Sequence, residues 1–565
     1  MKHLQAFRRD EDGAIVAYTL FMLLIMLAAG GIAIDVMRQE MQRSRLQHTL
    51  DTAVLAAAGA PWGADAKAIV ENYFSANDMS SYLHEIDEET DIIKTLNASK
   101  VSARASMTMD TYLMQLSGIK TLSAHTASTA EMRVPKLEVA LVLDVSGSMG
   151  SNSKLTNLKV AAKQFVTKIL STAESGDAVI SVVPFSWNVA AGEGIYSALQ
   201  INETQNYSTC LRFTPADYES AKIDPAVKQD QQIYTSLYGN FDSLQSNYRS
   251  CYTEDYSEIL PYSMDEAALH AKIDSLVASG NTSGHLGMKW GAALLDPAFQ
   301  TVATSLIADE LIDAGLTTIP AKYNEGETLK VIVMMGDGQN TTSYFFNDDG
   351  TRDPETGAMN GNYRGANSDL HEVISQQMEF KYAYHVYKHT IRYDQSRCSK
   401  NNWECIYEAS GPAESAYYLR KPSNNTYYSI EEGKWLSQSE FNDLSTKEGF
   451  VSSTQLSWEQ AWGRMSPRYY GDITGSWGPW NDYANQGRDN GSDKDIKMRD
   501  ICTATKNKGV VVYSIGFEIS RGGTAETELK SCASSVAHYY RAEGVNINDA
   551  FNSIASNVVN LRLTQ

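Results

Sequence analysis

An apolar segment that ends in three oxygen-bearing side chains is the clearest chemical signal in the chain. The sequence LVLDVSGSMG places Asp144, Ser146 and Ser148 directly after a run of apolar residues, and a second apolar run, residues 329–337, ends in Asp337. In open α/β sheets, ligands bind beyond the carboxyl ends of the strands. Two carboxylates placed there repel each other unless a cation lies between them. Carboxylate and hydroxyl oxygens suit Mg²⁺, Mn²⁺ or Ca²⁺ and do not suit Zn²⁺.

The elements that must position these residues alternate between strand and helix. Continuous apolar runs are typical of buried parallel strands, and residues 154–170 between the first two runs show helical spacing. The predicted core strands are residues 137–145, 178–185, 329–337 and 509–517. This alternation predicts an α/β domain with a doubly wound, Rossmann-like sheet.

Two long polar stretches interrupt this pattern. Residues from about 188 to 262 and from about 341 to 500 are rich in Tyr, Asn, Ser, Asp and Gly. We expect structured insertions, because a structureless loop as long as the second stretch is unusual in a compact domain. The α/β domain with its insertions is predicted to span residues 135–562.

The residues after the first predicted strand resemble the DxSxS motif of the von Willebrand factor A domain family. That family builds a metal-ion-dependent adhesion site (MIDAS) from this loop, a threonine and a further aspartate, which fit Thr282 and Asp337 here. The resemblance covers about residues 137–187, 265–340 and 505–560. It implies that one divalent cation, Mg²⁺ before Mn²⁺ or Ca²⁺, is bound by five residues, and that an acidic residue of a partner protein completes the coordination. The implied ligands are Asp144, Ser146, Ser148, Thr282 and Asp337.

Two alternatives concern this site. Ser283 follows Thr282 directly, so either residue fits the hydroxyl position from the third loop. The site is alternatively a degenerate one kept for packing, with Asp144 capping the following helix.

The N-terminal region predicts a membrane anchor. Residues 14–34 carry no charge, and 21 residues in a helix span roughly 31 Å, about the thickness of a hydrocarbon core. We predict a cytoplasmic N-terminus at 1–13, a transmembrane helix at 14–35 and its continuation over 36–60. A cleaved signal peptide is the alternative, but the apolar run is long and no small-x-small cleavage site follows it.

The segment between the anchor and the α/β domain predicts a small α+β module. Leu46, Leu50, Ala53 and Ala57 share one helical face, which we expect to pack against the next domain. Residues 61–134 then contain one helical segment and two segments with strand alternation. Six cysteines favour placing this module and the α/β domain outside the cytoplasm, in the periplasm.

The anchor region resembles the TadE/TadG-like Flp pilus-assembly family. The shared features are Gly13-Ala14, the apolar span, Asp35 just after it, and a run from Leu46 to Ala56. An anchor of this kind joined to a von Willebrand A domain resembles the TadG-type members, which implies an assembly component of a Tad/Flp pilus in a bacterial inner membrane. Related pseudopilins carry glutamate five residues after the processed glycine. Tyr18 occupies that position here, so we expect no prepilin-peptidase cleavage.

Cysteine positions predict three local disulfide bonds. The predicted pairs are Cys210–Cys251, Cys398–Cys405 and Cys502–Cys532. Six cysteines allow fifteen pairings, so this prediction rests on closeness in sequence alone, and free cysteines are the alternative.

Composition and motifs narrow the class of function. A net charge of −20 argues against nucleic-acid binding, which needs a basic face. The chain has no phosphate-binding, zinc-protease or nucleophile-elbow motif, and a lone His285 is more often structural, so we expect no enzymatic activity. The leading hypothesis is an anchored pilus-assembly component that docks an acidic partner through a metal ion. The alternatives are a surface adhesin that uses the same metal site for an extracellular or host ligand, and a membrane-bound metal hydrolase.

Overall fold

The described parts of the chain fall into two compact units, residues 1–135 and residues 136–564. The computed structural model describes residues 12–60, 65–88, 90–95, 98–133, 136–172, 177–323, 328–355, 357–395 and 402–564.

One long helix dominates the first unit. Helix α1, Asp12–Ala58, covers 47 residues without interruption, so the ranges predicted for the membrane span and its continuation form a single helix. Within the described residues, Ile15–Ala58 is the one stretch long and apolar enough to cross a membrane by length and composition. The chain therefore carries one long apolar helix near its N-terminus, which fits a single-pass anchor.

A helix and a three-stranded antiparallel sheet complete the first unit. They are α2 (Ala66–Ala76), β1 (Ile92–Thr95), β2 (Ala98–Asp110) and β3 (Thr121–Arg133), in the sheet order β1-β2-β3. Strands β2 and β3 pair along their whole length. Leu46, Leu50, Ala53 and Ala57 are buried in one cluster with α2 and β2, so the predicted apolar face of α1 packs against this module.

The second unit is a mixed α/β domain around a six-stranded sheet. Its strands are β4 (Lys136–Asp144), β5 (Ala178–Phe185), β6 (Leu260–Ser263), β7 (Thr328–Gly336), β10 (Val511–Phe517) and β11 (Tyr539–Ala542). Their order is β6-β5-β4-β7-β10-β11, and all neighbours are parallel except β6 with β5. Strands β8 (Leu370–Tyr387) and β9 (Glu404–Lys421) belong to a second sheet.

Helices cover both faces of the six-stranded sheet. Alternate residues of β4 enter different clusters, with Ala140 and Val142 in one and Leu141 and Leu143 in the other. The first cluster includes α5 (Gly284–Leu295), α6 (Gln300–Ala308), α7 (Gly491–Lys506) and α8 (Thr524–Cys532). The second includes α3 (Lys154–Thr172), α4 (Glu266–Ser275) and α9 (Ile547–Thr564). Burial on both faces explains why β4 reads as an uninterrupted apolar run.

The region between β5 and β6 consists of short elements. They are the helix Glu193–Ala198, a sheet of Ile201–Asn202, Gln229–Gln231 and Leu211–Arg212, and a hairpin of Gly239–Asn240 with Ser243–Leu244. The predicted insertion, which ends at about residue 262, includes residues 260–262. That boundary is wrong, because Leu260–Ser263 pairs with β5 at the edge of the main sheet.

The region between β7 and α7 contains a second sheet. Its strands are Thr390–Asp394, β8 (Leu370–Tyr387), β9 (Glu404–Lys421), Thr426–Ser429, Lys434–Leu436 and Phe450–Gln455. Its helices are Gln438–Asn442, Trp458–Arg464, Pro467–Thr474 and Gly478–Trp480. The two ends of this region meet, since Ser343–Tyr344 pairs with Arg488–Asp489. The predicted end at about 500 is wrong, because α7 starts at Gly491 and packs in the main core.

Two of the three predicted disulfide bonds are confirmed. Cys210 is bonded to Cys251 and Cys502 to Cys532. The third prediction involves Cys398, which lies outside the described residues. A bond between α7 and α8 holds together two helices that both contribute to the site described below.

Candidate metal centre

The loop after β4 gathers three of the predicted site residues. Asp144 is the last residue of the strand and is buried, and its Oδ1 accepts a hydrogen bond from the Ser146 backbone N–H at 2.8 Å. The hydroxyl oxygens of Ser146 and Ser148 lie 3.1 Å apart. The short turn therefore points one carboxylate and two hydroxyl groups into the same small region.

Asp337 joins this group from the neighbouring strand. The Ser148 hydroxyl donates to Asp337 Oδ1 at 2.7 Å, and the Asp337 backbone N–H lies 3.4 Å from Asp144 Oδ2. Strand β7 pairs in parallel with β4, so both strands end at the same edge of the sheet. Four of the five predicted residues thus form one hydrogen-bonded group.

A lysine that the sequence analysis did not select also reaches this group. Lys154, at the first turn of α3, places its ammonium 3.0 Å from Asp337 Oδ2. Both side chains are largely buried. Its positive charge sits where it offsets part of the repulsion between the two aspartates.

Thr282, the fifth predicted residue, comes from a third loop that is tied to the other two. The Ser279 N–H donates to Val145 O at 2.9 Å, and the Gly147 N–H donates to Gly280 O at 2.8 Å. The Thr282 N–H donates to the Thr341 hydroxyl at 2.8 Å. Thr282 and Asp144 line the same small cavity, so all three loops meet at the site.

Ser283, the alternative to Thr282, is used elsewhere. Its hydroxyl donates to Trp187 O at 2.8 Å and accepts from the Lys494 ammonium at 2.7 Å. Lys494 also donates to Thr282 O and to the Ser343 hydroxyl, and burial lowers its pKa to about 7. Of the two candidates, Thr282 lines the cavity together with Asp144, whereas the Ser283 hydroxyl is engaged by Trp187 and Lys494.

The cavity lined by Asp144 and Thr282 is acidic. It measures about 20 Å³ to the centre of a water molecule, enough for one water or ion. Asp495 of α7 and Glu528 of α8 line it as well, and both carboxylates are largely buried. Glu528 Oε1 accepts from Arg499, while its Oε2 has no hydrogen-bond partner among the described residues. An electropositive occupant would satisfy that oxygen.

Burial and charge repulsion act strongly on Asp144. Desolvation, followed by the Asp337 carboxylate, raises the pKa of Asp144 to about 7. Without an added cation, Asp144 is therefore hard to ionise near neutral pH. A divalent cation would favour the doubly ionised pair.

The donor set fits a hard cation that keeps part of its water shell. Two carboxylates and three hydroxyl oxygens from three loops suit Mg²⁺ or Mn²⁺ better than they suit Zn²⁺. The described residues contain no group of three or more His, Cys, Asp and Glu side chains arranged to hold a metal. The candidate site would hold its ion through hydroxyl groups as much as through carboxylates.

His285 takes no part in this group. It is buried, and desolvation together with the charges of Lys494 and Lys497 lowers its pKa well below the usual value. Its ring lies against Tyr218, with centroids 5.3 Å apart. His285 is therefore a neutral core residue of α5.

Gly280 provides a test of how closely the three loops fit. Its φ is +78°, and a Cβ there would lie 2.3 Å from Trp187 Cδ1 and 2.5 Å from the Tyr252 hydroxyl oxygen. We expect Gly280→Ala to lower the free energy of unfolding by roughly 2–4 kcal/mol, from strain and overpacking together. Urea unfolding measures this, with Gly338→Ala as the control because a Cβ at Gly338 meets no atom within 4 Å. Equal effects of the two substitutions would contradict the described loop packing.

Comparison with known families gives one match. Residues 13–60 match the model of the Flp pilus-assembly TadE/G-like family. No curated protein matches the chain in a sequence search.

Comparison with solved structures gives distant similarities. One is the vWF domain of the type V pili tip protein Mfa5 from Porphyromonas gingivalis, with 14% identity, a TM-score of 0.30, and coverage of 76% of this chain and 97% of that one. Another is the pilus adhesin RrgA from Streptococcus pneumoniae, with 12% identity, a TM-score of 0.29, and coverage of 84% and 48%. This chain thus spans about half of the RrgA chain. Both TM-scores are below 0.5, so neither similarity assigns a function to this chain. What the comparisons establish is a TadE/G-like pilus-assembly segment at the N-terminus.

Proposed function

We propose that this protein is a membrane-anchored assembly component of a Tad/Flp pilus, of the TadG type. The TadE/G-like segment at residues 13–60 supports the link to pilus assembly. The apolar helix Ile15–Ala58 supports a single-pass anchor in a bacterial inner membrane. The disulfide bonds Cys210–Cys251 and Cys502–Cys532 support a periplasmic location for the α/β domain.

The α/β domain is proposed to be a doubly wound domain of the von Willebrand A type that binds one divalent cation. Its ligands would be Asp144, Ser146, Ser148, Thr282 and Asp337, with Mg²⁺ as the preferred ion. The observation that carries this proposal is the contact of Ser148 with Asp337 across two neighbouring strands, beside Asp144. Five protein ligands leave one position of an octahedral Mg²⁺ ion open.

That open position defines the partner. An acidic side chain of another pilus-assembly protein would complete the coordination shell with a carboxylate oxygen. We propose docking without catalysis, because His285 is buried away from the group and the Lys154 ammonium is paired with Asp337. The site would therefore act as a metal-dependent contact within the assembly machinery.

Crosslinking in native membranes tests this function. We expect affinity purification of the wild-type protein to recover other pilus-assembly proteins, and Asp144→Ala to lose most of them. Asp309→Ala, at an exposed aspartate of the same domain, is the control and should retain them. Recovery of the same partners with Asp144→Ala would refute docking through the metal site.

A further inference from the structure

The tip of the β2–β3 hairpin exposes a group of large apolar side chains. The connecting segment reads TYLMQLSGIK from Thr111 to Lys120. Tyr112 is 69% exposed, Leu113 40%, Leu116 85% and Ile119 43%. Four large apolar residues exposed within eight positions form a patch that marks a site of interaction.

This tip, residues 112–119, is held in one conformation. The Thr111 hydroxyl donates to Ile119 O at 2.6 Å, which closes the segment at its base. A short helical turn, Met114–Ser117, ends at Gly118 with a φ of +91°. The apolar side chains are therefore displayed by an ordered turn.

Asp35 of α1 fastens the tip to the anchor helix. Its carboxylate accepts hydrogen bonds from the backbone N–H groups of Tyr112, Leu113 and Met114, at 2.7 to 3.1 Å, and is itself buried. Arg38 stacks on the Tyr112 ring at 4.0 Å. These contacts hold the tip against the helix turn that contains Asp35 and Arg38.

This helix turn lies at the C-terminal end of the apolar span. Gly31 faces Leu113 so closely that a Cβ at Gly31 would lie 2.6 Å from Leu113 Cβ. Residues 31–34 are the last turn of the uncharged stretch 14–34. If that stretch crosses a bilayer, the exposed apolar side chains of the tip lie at the depth of its outer boundary.

The rest of the hairpin runs away from that boundary. Gln39, one turn beyond Asp35, donates to Ser123 O at 3.0 Å. Ala127 is a further four residues along β3 and is exposed. At about 3.4 Å per residue, Ala127 lies roughly 20 Å from the start of β3 at the tip.

We propose that the hairpin tip, residues 112–119, inserts into the lipid bilayer beside the anchor helix. Leu113, Leu116 and Ile119 would contact acyl chains, Tyr112 would sit at the interface, and Lys120 would reach the headgroups. The tip would be a second membrane contact that fixes the orientation of the first unit on the membrane. This inference rests on the anchoring part of the proposed function.

Spin labels on single cysteine substitutions test the insertion. The full-length protein is reconstituted into phosphatidylethanolamine–phosphatidylglycerol vesicles with a nitroxide at Leu116→Cys, Ala127→Cys or Leu24→Cys. Accessibility to oxygen and to a water-soluble nickel chelate is then measured. Leu116 and Ala127 are both exposed, so neither label disturbs the packing of the unit.

We expect the ratio of oxygen to nickel accessibility at residue 116 to be several-fold higher than at residue 127. A nickel-accessible label at residue 116 would show that the tip lies in water and would overturn the proposal. A label at 116 that is shielded from both reagents would show that protein covers the tip, which would overturn it as well.

The label at Leu24 separates failure of the anchor from failure of the inference. Leu24 lies in the middle of the apolar stretch and is 57% exposed. A lipid-exposed label at 24 combined with a water-exposed label at 116 leaves the anchor intact and refutes only the insertion of the tip. Water-exposed labels at both positions refute the anchor.

Discussion

Added Mg²⁺ is expected to stabilise the α/β domain strongly above pH 7 and only weakly at pH 5. Asp144 is buried beside Asp337, and its pKa is raised to about 7, first by desolvation and then by the charge of Asp337. At pH 5 the metal-free folded chain therefore holds a proton on Asp144. At pH 8 Asp144 has lost this proton, and its charge repels that of Asp337. A bound cation then stabilises the domain most.

The sign of the pH effect follows from the raised pKa. An unfolded aspartate releases its proton near pH 4, whereas folded Asp144 keeps it to about pH 7. The folded chain thus binds more protons than the unfolded chain between about pH 4 and pH 7. The free energy of unfolding of the metal-free protein should fall through that window, by roughly 1–4 kcal/mol. It should then be constant with respect to this group above pH 7.

Asp144→Asn should preserve or raise the stability of the metal-free protein and abolish its stabilisation by Mg²⁺. Asparagine resembles the protonated acid, so at pH 8 without metal the variant should be as stable as the wild type or more stable. It should also lose the response to Mg²⁺, which for a ligand at a hundred times its Kd amounts to about 2.7 kcal/mol. Asp309→Asn, at an exposed position, should change neither property.

Thermal unfolding followed by tryptophan fluorescence measures both effects. Of the nine tryptophans, all but Trp62 lie in the second unit, so the signal reports mainly on the α/β domain. The protein is freed of metal with a chelator and titrated with Mg²⁺ at pH 5 and pH 8. Equal stabilisation of the wild type and Asp144→Asn by Mg²⁺ would show that the ion binds elsewhere.

Part of this site could be predicted because its residues follow directly from local patterns. Asp144 and Asp337 end apolar runs, and runs of that kind form central strands whose carboxyl ends meet at one edge. Ser146 and Ser148 are close in sequence to Asp144. The structure adds that β4 and β7 are parallel neighbours, which brings both aspartates together.

The remaining part depends on contacts between distant segments. Lys494 and Asp495 lie on α7, whose sequence is too polar to predict a core helix, and both are nevertheless buried. The choice between Thr282 and Ser283 depends on Lys494, which engages the Ser283 hydroxyl. No local spacing reveals such a contact, so the sequence leaves that choice open and does not separate the start of α7 from the insertion.

In the anchor region, too, local features are predictable from the sequence and long-range contacts are not. The apolar stretch of α1 and its face of Leu46 and Leu50 are visible as composition and helical spacing. The hydrogen-bond donors to Asp35 are not visible in the sequence, because the backbone groups that it binds lie 77 to 79 residues later in the chain. Asp35 is thus visible in the sequence as one of several features of a family resemblance, while its structural role is visible only in the fold.

Lys154 is expected to act as an internal counter-ion that a divalent cation displaces. Its ammonium lies 3.0 Å from Asp337 Oδ2, with Ser148 on the other carboxylate oxygen. In the metal-free protein this charge reduces the repulsion between Asp144 and Asp337. When a divalent cation binds, the same charge repels the ion, so Lys154 weakens metal binding while it stabilises the metal-free domain.

Lys154→Met should therefore change stability and affinity in opposite directions. The methionine keeps an apolar stem of similar length and removes the charge, so the metal-free variant should lose roughly 2–4 kcal/mol of stability at pH 8. Its affinity for Mg²⁺ should rise by about tenfold, which corresponds to about 1.4 kcal/mol. Saturating Mg²⁺ should recover much of the lost stability.

Lys163→Met is the matched control for this prediction. Lys163 lies on the same helix, α3, and pairs with Asp274 at 2.7 Å, but both side chains are partly exposed. Exposed pairs of this kind contribute at most about 1 kcal/mol, so this variant should bind Mg²⁺ like the wild type. Isothermal titration with Mg²⁺ and unfolding with and without the ion distinguish the two variants. An unchanged or reduced Mg²⁺ affinity in Lys154→Met would contradict competition between the lysine and the ion, and would make Lys154 a structural partner of Asp337 alone.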